Sequence, residues 1–410
     1  MPRVAFKTVG CRLNQAETAH MTARFAQHGY DVVPFGQACD VCVIHTCAIT
    51  AAAERTCVRY ARFARRKWPQ ARLVLAGCAV ELDAERLQQR SHADLVVGQA
   101  GKLDLVRRLH PDCRGETVTP LFDRTRAVVK VQDGCDFRCS YCVVPDARGA
   151  PRSRPAADIE DEVRRLVDDG YREVVLTGAN LGCYGDGAGR LVDLLGAVEQ
   201  IPGLARLRIS SIEPTTVERD VIDYMADSDK LCRYLHLPLQ SGDDGILAAM
   251  GRHYTAADYR AIAAYAVTRI PDIGLGSDII TGFPGESDAA FAATEALVKA
   301  VPFSNLHIFP YSARPGTPAA ELPGQVDGSL RHARARRLIE LGHRKREAFC
   351  RSLVGSEAEV LVESVAPDGT ATGWLSQYVR ARLTGRDLSP NRIVAFRVED
   401  CDGEALLGSA

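Results

Sequence analysis

Short apolar runs alternate with amphipathic stretches along most of this chain, and that rhythm excludes most folds before any motif is considered. Over residues 1 to 122 the runs are "RVAFKTV", "VCVIHT", "RLVLAG" and "DLVVG", separated by segments such as "NQAETAHMTARFAQHG" with a C-cap signal at Gly29. Buried strands separated by helices imply a parallel sheet, because each strand must return through a crossover. From 123 to about 328 the alternation continues with "AVVKVQ", "EVVLTG", "RLRISS", "YLHLPL", "LGSDIITG" and "NLHIFPY". Six βα units fit an incomplete barrel. "ELPGQVDG" breaks the pattern, and "SLRHARARRLIELGHRKREAFCRSL" reads as a basic connector helix. Beyond Gly355 the runs "AEVLVESV", "YVRARL" and "RIVAFRVE", with a turn signal in "APDGT", predict a small β-barrel. The expected organisation is α/β in three domains, 1–122, 123–350 and 351–410.

With 46% hydrophobic and 25% charged residues over 410 positions, the chain has the composition of an ordinary globular protein with a large core. No apolar run is long enough to span a membrane, and "MPRVAFKTVGCRLNQ" lacks the signal-peptide pattern, so a cytoplasmic location is expected. Fourteen cysteines in such a chain imply a reducing compartment, with thiols serving as metal ligands or core residues. A net charge of −1 confines nucleic-acid contact to local basic patches, and neither membrane nor DNA is an expected partner.

"GCDFRCSYCVVP" places Cys135, Cys139 and Cys142 directly after the first barrel strand, at the face where barrel enzymes keep their chemistry. Closed zinc sites need four ligands, whereas a four-iron cluster on three cysteines leaves one iron open. Other strand ends carry small or polar residues that admit a polar ligand: Thr177, Gly178 and Asn180; Ser210, Ser211 and Glu213; Gln240, Ser241 and Gly242; Gly282, Gly285 and Glu286. A second triplet is dispersed. Cys11, Cys47 and Cys78 each end a separate strand, and in an open parallel sheet such ends converge on one crevice. Cys42 competes with Cys47 but lies within its strand, and the pair Cys39 and Cys42 enters a strand where a redox pair would open a helix. Cys57, Cys113, Cys183, Cys232, Cys350 and Cys401 are read as structural.

The C-x3-C-x2-C loop, with Tyr141 before its last cysteine, resembles the radical S-adenosylmethionine (SAM) superfamily. The resemblance implies that SAM chelates the open iron and is split to a deoxyadenosyl radical by an electron that an external donor supplies. The polar strand ends would hold its amino, carboxylate and ribose groups. "KTVGCRLNQAET", "HTCAIT", "LAGC", "RGAPRSR", "HLPLQSG", "ITGFPGES" and "YSARPGTPAA" together resemble the methylthiotransferase branch. That implies a second [4Fe-4S] cluster on the dispersed triplet, whose open iron handles sulfur. "GCRLNQAET" and "TCAITAAAERT" most resemble the tRNA enzymes that convert N6-threonylcarbamoyladenosine beside the anticodon to its 2-methylthio derivative. Sister groups modify isopentenyl-adenosine in tRNA or a ribosomal-protein aspartate.

The C-terminal module resembles a TRAM domain through Gly373 and Tyr378 in "GWLSQYVRARL", and Tyr378 is expected to grip RNA together with Arg148, Arg152 and Arg154 of "RGAPRSR". Further basic stripes are Arg55, Arg59, Arg62 and Arg66, near Tyr60, Phe63 and Trp68, and Arg331, Arg334, Arg337, Arg344, Lys345 and Arg346 on the connector. Against RNA binding, the C-terminal module carries Glu357, Glu359, Glu363, Asp368, Glu399, Asp400, Asp402 and Glu404, a surface suited to a basic protein target. A reading of another class is a non-catalytic, zinc-stabilised RNA-binding protein.

Overall fold

Five strands, β1 (Arg3–Thr8), β2 (Asp31–Val33), β3 (Val41–Thr46), β4 (Arg72–Gly77) and β5 (Leu95–Val97), form an all-parallel sheet in the order β2-β1-β3-β4-β5. The computed structural model describes residues 1–110, 118–122, 125–185, 187 and 189–410, so Cys113 lies outside the described residues. Central β3 is buried along its whole length, which is why "VCVIHT" reads as a continuous apolar run. β2 was not anticipated, because three edge residues are too few to show a period. Helix α1 (Arg12–Gln27) begins directly after Cys11 and ends at Gly29, which takes the positive φ of 79° that a helix terminus favours. Helix α2 (Ala51–Lys67) is capped by Thr50, whose side chain accepts from the Ala53 amide at 3.1 Å, and α3 (Cys78–Leu82) starts where β4 stops.

The six expected barrel strands are all present: β6 (Arg126–Lys130), β7 (Glu173–Thr177), β8 (Arg206–Ile209), β9 (Tyr234–His236), β10 (Gly274–Thr281) and β11 (Phe303–Pro310). β6-β7-β8 and β9-β10-β11 are parallel sheets, joined by a bridge between Leu207 and Leu231. Their period of two divides the side chains. Ala127, Val129, Val174, Leu176, Leu207, Ile209, Leu235, Leu275 and Ile279 enter the largest hydrophobic core, against the outer helices. The alternate residues, among them Lys130, Glu173, Arg206, Arg208, Tyr234, His236, Asp278 and His307, make a polar lumen.

Helix α4 (Val144–Arg148) follows the cysteine loop, and α5 (Gly328–Ser352) is the connector. The C-terminal strands β12 (Glu357–Val365), β13 (Ala371–Leu375), β14 (Arg380–Thr384), β15 (Ile393–Cys401) and β16 (Ala405–Ser409) close into a barrel in the order β12-β13-β14-β16-β15. β13 and β16 were not read from the sequence, since both are short and carry a glycine where neighbouring backbone passes close: a Cβ at Gly373 would collide with the Leu361 carbonyl, and one at Gly408 with that of Arg397.

The turn between β13 and β14 plugs the N-terminal end of the large barrel. Arg208 donates to the Ser376 carbonyl at 2.9 Å and to that of Leu375 at 3.1 Å, while Arg206 donates to the Trp374 carbonyl at 3.0 Å. Tyr378, expected to grip RNA, is half-buried here and packs toward the large barrel. It stacks on Trp374 (4.7 Å between ring centroids) and lies 4.9 Å from Tyr234, with the guanidinium groups of Arg12, Arg126 and Arg208 over its ring.

Candidate active site: two cysteine triplets joined through one helix

The loop after β6 is held by backbone hydrogen bonds. The Cys135 amide donates to the Gly149 carbonyl at 3.1 Å, that of Cys142 to Cys139 at 3.0 Å, and that of Ser140 to Met250 at 2.9 Å. Gly134 takes φ +75°, and a Cβ there would collide with the Ala150 carbonyl. Cys139 is buried, Cys135 and Cys142 are half-buried, and all three are free thiols. Burial pushes the Cys142 thiol up to about 12, so a cation must displace its proton before it can ligate. Arg252, which the sequence did not flag, lies 3.4 Å from the Cys139 sulfur and pairs with Glu213.

Around this loop the strand ends form a polar rim. The buried Ser210 hydroxyl has no hydrogen-bond partner among the described residues, as expected of a group that awaits a polar ligand. The Asn180 amide donates to Gln132 Oε1 at 2.9 Å, and a Cβ at Gly178 would crowd the same oxygen at 2.9 Å. Thr177 is buried at the end of β7, Gln240 takes a left-handed φ of 65°, and Ser241 contacts the Thr294 hydroxyl at 3.3 Å. Ser211 faces solvent, and Tyr141 packs edge-on to Phe283 at 6.4 Å. Glu286 differs from expectation: Arg334 donates to its carboxylate at 2.6 Å and the Gly282 amide at 2.8 Å, so it ties the Gly282–Glu286 turn to α5.

Cys11, Cys47 and Cys78 follow β1, β3 and β4, which are adjacent in the sheet, so three distant residues reach one edge. Cys11 is exposed, while Cys47 and Cys78 are each 5% exposed. A Cβ at Gly10, where φ is +114°, would stand 3.0 Å from the Cys47 sulfur. Burial first, then the nearby thiols of Cys11 and Cys78, push Cys47 up to about 12. The Gln99 amide donates to the Cys78 sulfur at 3.0 Å. Among the described residues, the groups of three whose donor atoms gather as tightly as a single ion requires include neither cysteine triplet. A zinc knuckle needs that convergence; a larger inorganic core does not.

The two triplets are joined by α4. Val143 and Ala147 share a hydrophobic core with Cys78, Ala79 and Val80. At the end of α4, Arg148 donates to Asn14 Oδ1 at 2.7 Å and Asp133 Oδ1 at 2.8 Å, and pairs with Glu17 at 3.3 Å. Glu17 also binds Lys102 at 2.5 Å and Lys130 at 2.9 Å. Burial alone would raise the Glu17 carboxyl, but Lys102, Lys130 and Arg148 together hold it well below the usual range. A second tie crosses from Arg314 of "YSARPGTPAA" to Glu54 of α2 at 2.8 Å.

These pairings redistribute the expected RNA contacts. Arg148 is 5% exposed and bridges the domains, and Arg154 donates to the Lys130 carbonyl at 2.8 Å and pairs with Glu162 at 2.7 Å, leaving Arg152 as the exposed arginine of the three. On the connector, Arg334 and Arg337 pair with Glu286 and Glu295, and Arg331, Lys345 and Arg346 donate to carbonyls, so most of that stripe holds the fold together. On α2, by contrast, Arg55, Arg59, Arg62 and Arg66 all face solvent. Beneath them Tyr60 and Trp68 pack on Phe35 at 5.5 and 6.1 Å, with Phe63 at 5.8 Å from Trp68.

Comparison with known proteins agrees with this architecture. The radical SAM superfamily matches residues 129–298, and an uncharacterized protein family, UPF0004, matches residues 3–98. The threonylcarbamoyladenosine tRNA methylthiotransferase MtaB of Thermotoga maritima is 33% identical over 98% of this chain and 99% of its own length. The protein of that name from Bacillus subtilis is 32% identical over 97% of this chain and 94% of its own. The chain belongs to the radical SAM methylthiotransferase family. This methylthiotransferase is thus a radical SAM enzyme that transfers a sulfur-containing group, and its fold implies a [4Fe-4S] cluster and SAM. The fold is shared with the radical SAM methyltransferase TsrM of Kitasatospora setae, at a TM-score of 0.59 and 15% identity over 78% of this chain and 77% of that one. It is shared too with the cobalamin-dependent radical enzyme OxsB, at 0.53 and 10% over 85% and 62%. Among the described residues no helix is long and apolar enough to cross a membrane.

Proposed function

We propose that this methylthiotransferase acts on tRNA in the cytoplasm, placing a methylthio group on C2 of N6-threonylcarbamoyladenosine beside the anticodon, and that it holds two [4Fe-4S] clusters. The observation that carries the reading is the pair of incomplete cysteine triplets locked to one another through α4 and Arg148. Cys135, Cys139 and Cys142 would hold one cluster with SAM as its further ligand, and Cys11, Cys47 and Cys78 the other. Bound there, these groups supply a radical that can take hydrogen from an aromatic carbon and a sulfur donor to trap the result.

The chain's own contribution is positioning and charge. Ser210, Asn180 and Gln240 offer hydrogen bonds to the polar groups of SAM, and Gly178 lets its backbone come close. Arg252 beside one triplet, and Arg148 with Lys102 beside the other, offset the negative charge that thiolates bring. Ile49, in the loop before α2, and Phe309, near the end of β11, are 48% and 43% exposed and lie on segments that meet where the Ala51 amide donates to the Ser312 hydroxyl at 3.1 Å, and they offer apolar contact to a base. The exposed arginines of α2 supply phosphate contacts. Nucleoside analysis of tRNA from cells with and without the gene tests this: the 2-methylthio derivative should vanish and its threonylcarbamoyl precursor accumulate. Unchanged tRNA, with no second enzyme of this type present, would overturn it.

One observation favours a protein target instead. Glu357, Glu359, Glu399, Asp400 and Asp402 are all exposed on the C-terminal barrel. Mass spectrometry of ribosomal proteins from the same two strains would reveal a methylthiolated aspartate present only with the gene.

A further inference from the structure

On the β9-β10-β11 half of the barrel, three adjacent strands bring His236 (β9), Asp278 (β10) and His307 (β11) to one patch of the lumen wall. Asp278 and His307 are partners in the strand register, and His236 pairs with Gly276, two residues before Asp278. Asp278 Oδ1 lies 3.1 Å from His236 Nε2 and 3.0 Å from His307 Nδ1, and one donor atom from each of the three residues falls within 4.8 Å of the others. Close approach is built in at Gly276, where a Cβ would stand 2.6 Å from His236 Nδ1.

Two readings fit these distances. Two imidazole N–H groups could share one carboxylate oxygen, or all three residues could surround an ion: donors about 2.1 Å from a common metal lie roughly 3.0 to 3.4 Å apart at octahedral to tetrahedral angles. His236 favours the second. Its side chain is 7% exposed, yet among the described residues Nε2 makes no hydrogen bond, because the short approach to Asp278 lacks hydrogen-bond alignment. Meanwhile the far nitrogen of each ring is held. The Tyr234 hydroxyl lies 3.2 Å from His236 Nδ1, and the Asn305 amide, which can present either end, lies 3.2 Å from His307 Nε2. Metal-binding histidines are supported in this way.

We propose that His236, Asp278 and His307 form a site for one divalent transition-metal ion, separate from both cysteine triplets, with its open coordination positions facing the barrel lumen. Two imidazoles and one carboxylate suit Fe²⁺, Mn²⁺, Co²⁺ or Zn²⁺ rather than Mg²⁺ or Ca²⁺. The side chains of His307 and Asp278 are 49% and 28% exposed, which leaves the ion an entry path and room for oxygen ligands.

The test is a titration of the cluster-loaded enzyme with Mn²⁺, read by the loss of the free-ion EPR signal. About one ion per chain should bind, Zn²⁺ should displace it, and His307→Ala and Asp278→Asn should each weaken binding at least roughly tenfold. Iron and sulfide content should stay unchanged in His307→Ala, since that side chain is half exposed. Zinc-edge X-ray absorption of the zinc-loaded wild-type enzyme gives a second measurement that needs no variant, and should show nitrogen and oxygen ligation including two histidines. Absence of binding by either metal up to millimolar concentration, equal affinity in the variants, or sulfur ligation of the zinc would overturn the site.

Discussion

The two cysteine triplets reach similar environments by opposite routes. One occupies eight consecutive residues, 135 to 142, and is shaped by backbone hydrogen bonds within the loop and to Gly149 and Met250 beside it. The other spans 68 residues, 11 to 78, and exists only because β1, β3 and β4 are neighbours that end at one edge of a parallel sheet. The first is a motif of sequence and the second a motif of topology. Breaking the first is a matter of single residues; breaking the second can be done from a distance, through whatever holds the sheet against the barrel.

The largest effects should come from the proposed ligands themselves. Cys139→Ala should abolish SAM cleavage and all product, whereas Cys78→Ala should abolish methylthio transfer and leave deoxyadenosine formation intact. Each should lower the iron content of an anaerobic preparation from about eight to about four per chain. Equal loss of SAM cleavage in both variants would erase the functional distinction between the sites. Next comes Arg148→Met, which leaves Glu17 short of a buried partner. It should cost about 3 to 5 kcal/mol by thermal or denaturant unfolding, and should raise the ratio of deoxyadenosine to methylthiolated product, because one of the ties between the two halves is lost.

Acid should act on the dispersed site's domain. Burial, and then the charge of Lys102, lower His45 from 6.5 to about 3, so between those values the unfolded chain binds a proton that the folded chain refuses. Stability should therefore fall as pH drops from 6.5 toward about 3. Glu17, depressed below 4.5, adds stability that is present above that value and is lost as acid protonates the folded carboxylate. Melting followed against pH checks this, and His45→Gln should flatten the upper part of the slope. The smallest effect is expected from the paired change Arg59→Glu and Arg66→Glu. It should weaken tRNA binding and reduce the salt slope by about one unit per lost phosphate contact, while uncoupled SAM cleavage is unchanged.

The fold was legible where periodicity runs long. All six strands of the large barrel and four strands of the N-terminal sheet could be read, but the three residues of β2 and the short, glycine-bearing β13 and β16 could not. At the site, residue type and strand-end position selected the cysteines, but they could not say which arginines face outward. Arg148 and Arg334 look like surface cations in the sequence and are 5% and 4% exposed, because their partners Glu17 and Glu286 lie far away along the chain. Glu17, Lys102, Gln99, Gln132 and Arg252 escaped notice for the same reason. Glu17, within "GCRLNQAET", and Gln132, at the end of "AVVKVQ", did stand inside quoted stretches that could have drawn attention to them.

The turn at Ser376–Tyr378 gives the C-terminal barrel a duty besides any contact with substrate. Because Arg206 and Arg208 reach through the base of the large barrel to grasp the carbonyls of Trp374, Leu375 and Ser376 at the start of this turn, the module acts as a stopper. It cannot swing like a tethered arm without uncorking the chamber beneath the cysteines and admitting water to a compartment meant for radicals. A chain cut before Gly355 should thus leak radical equivalents to solvent even on turnovers where no macromolecule is engaged.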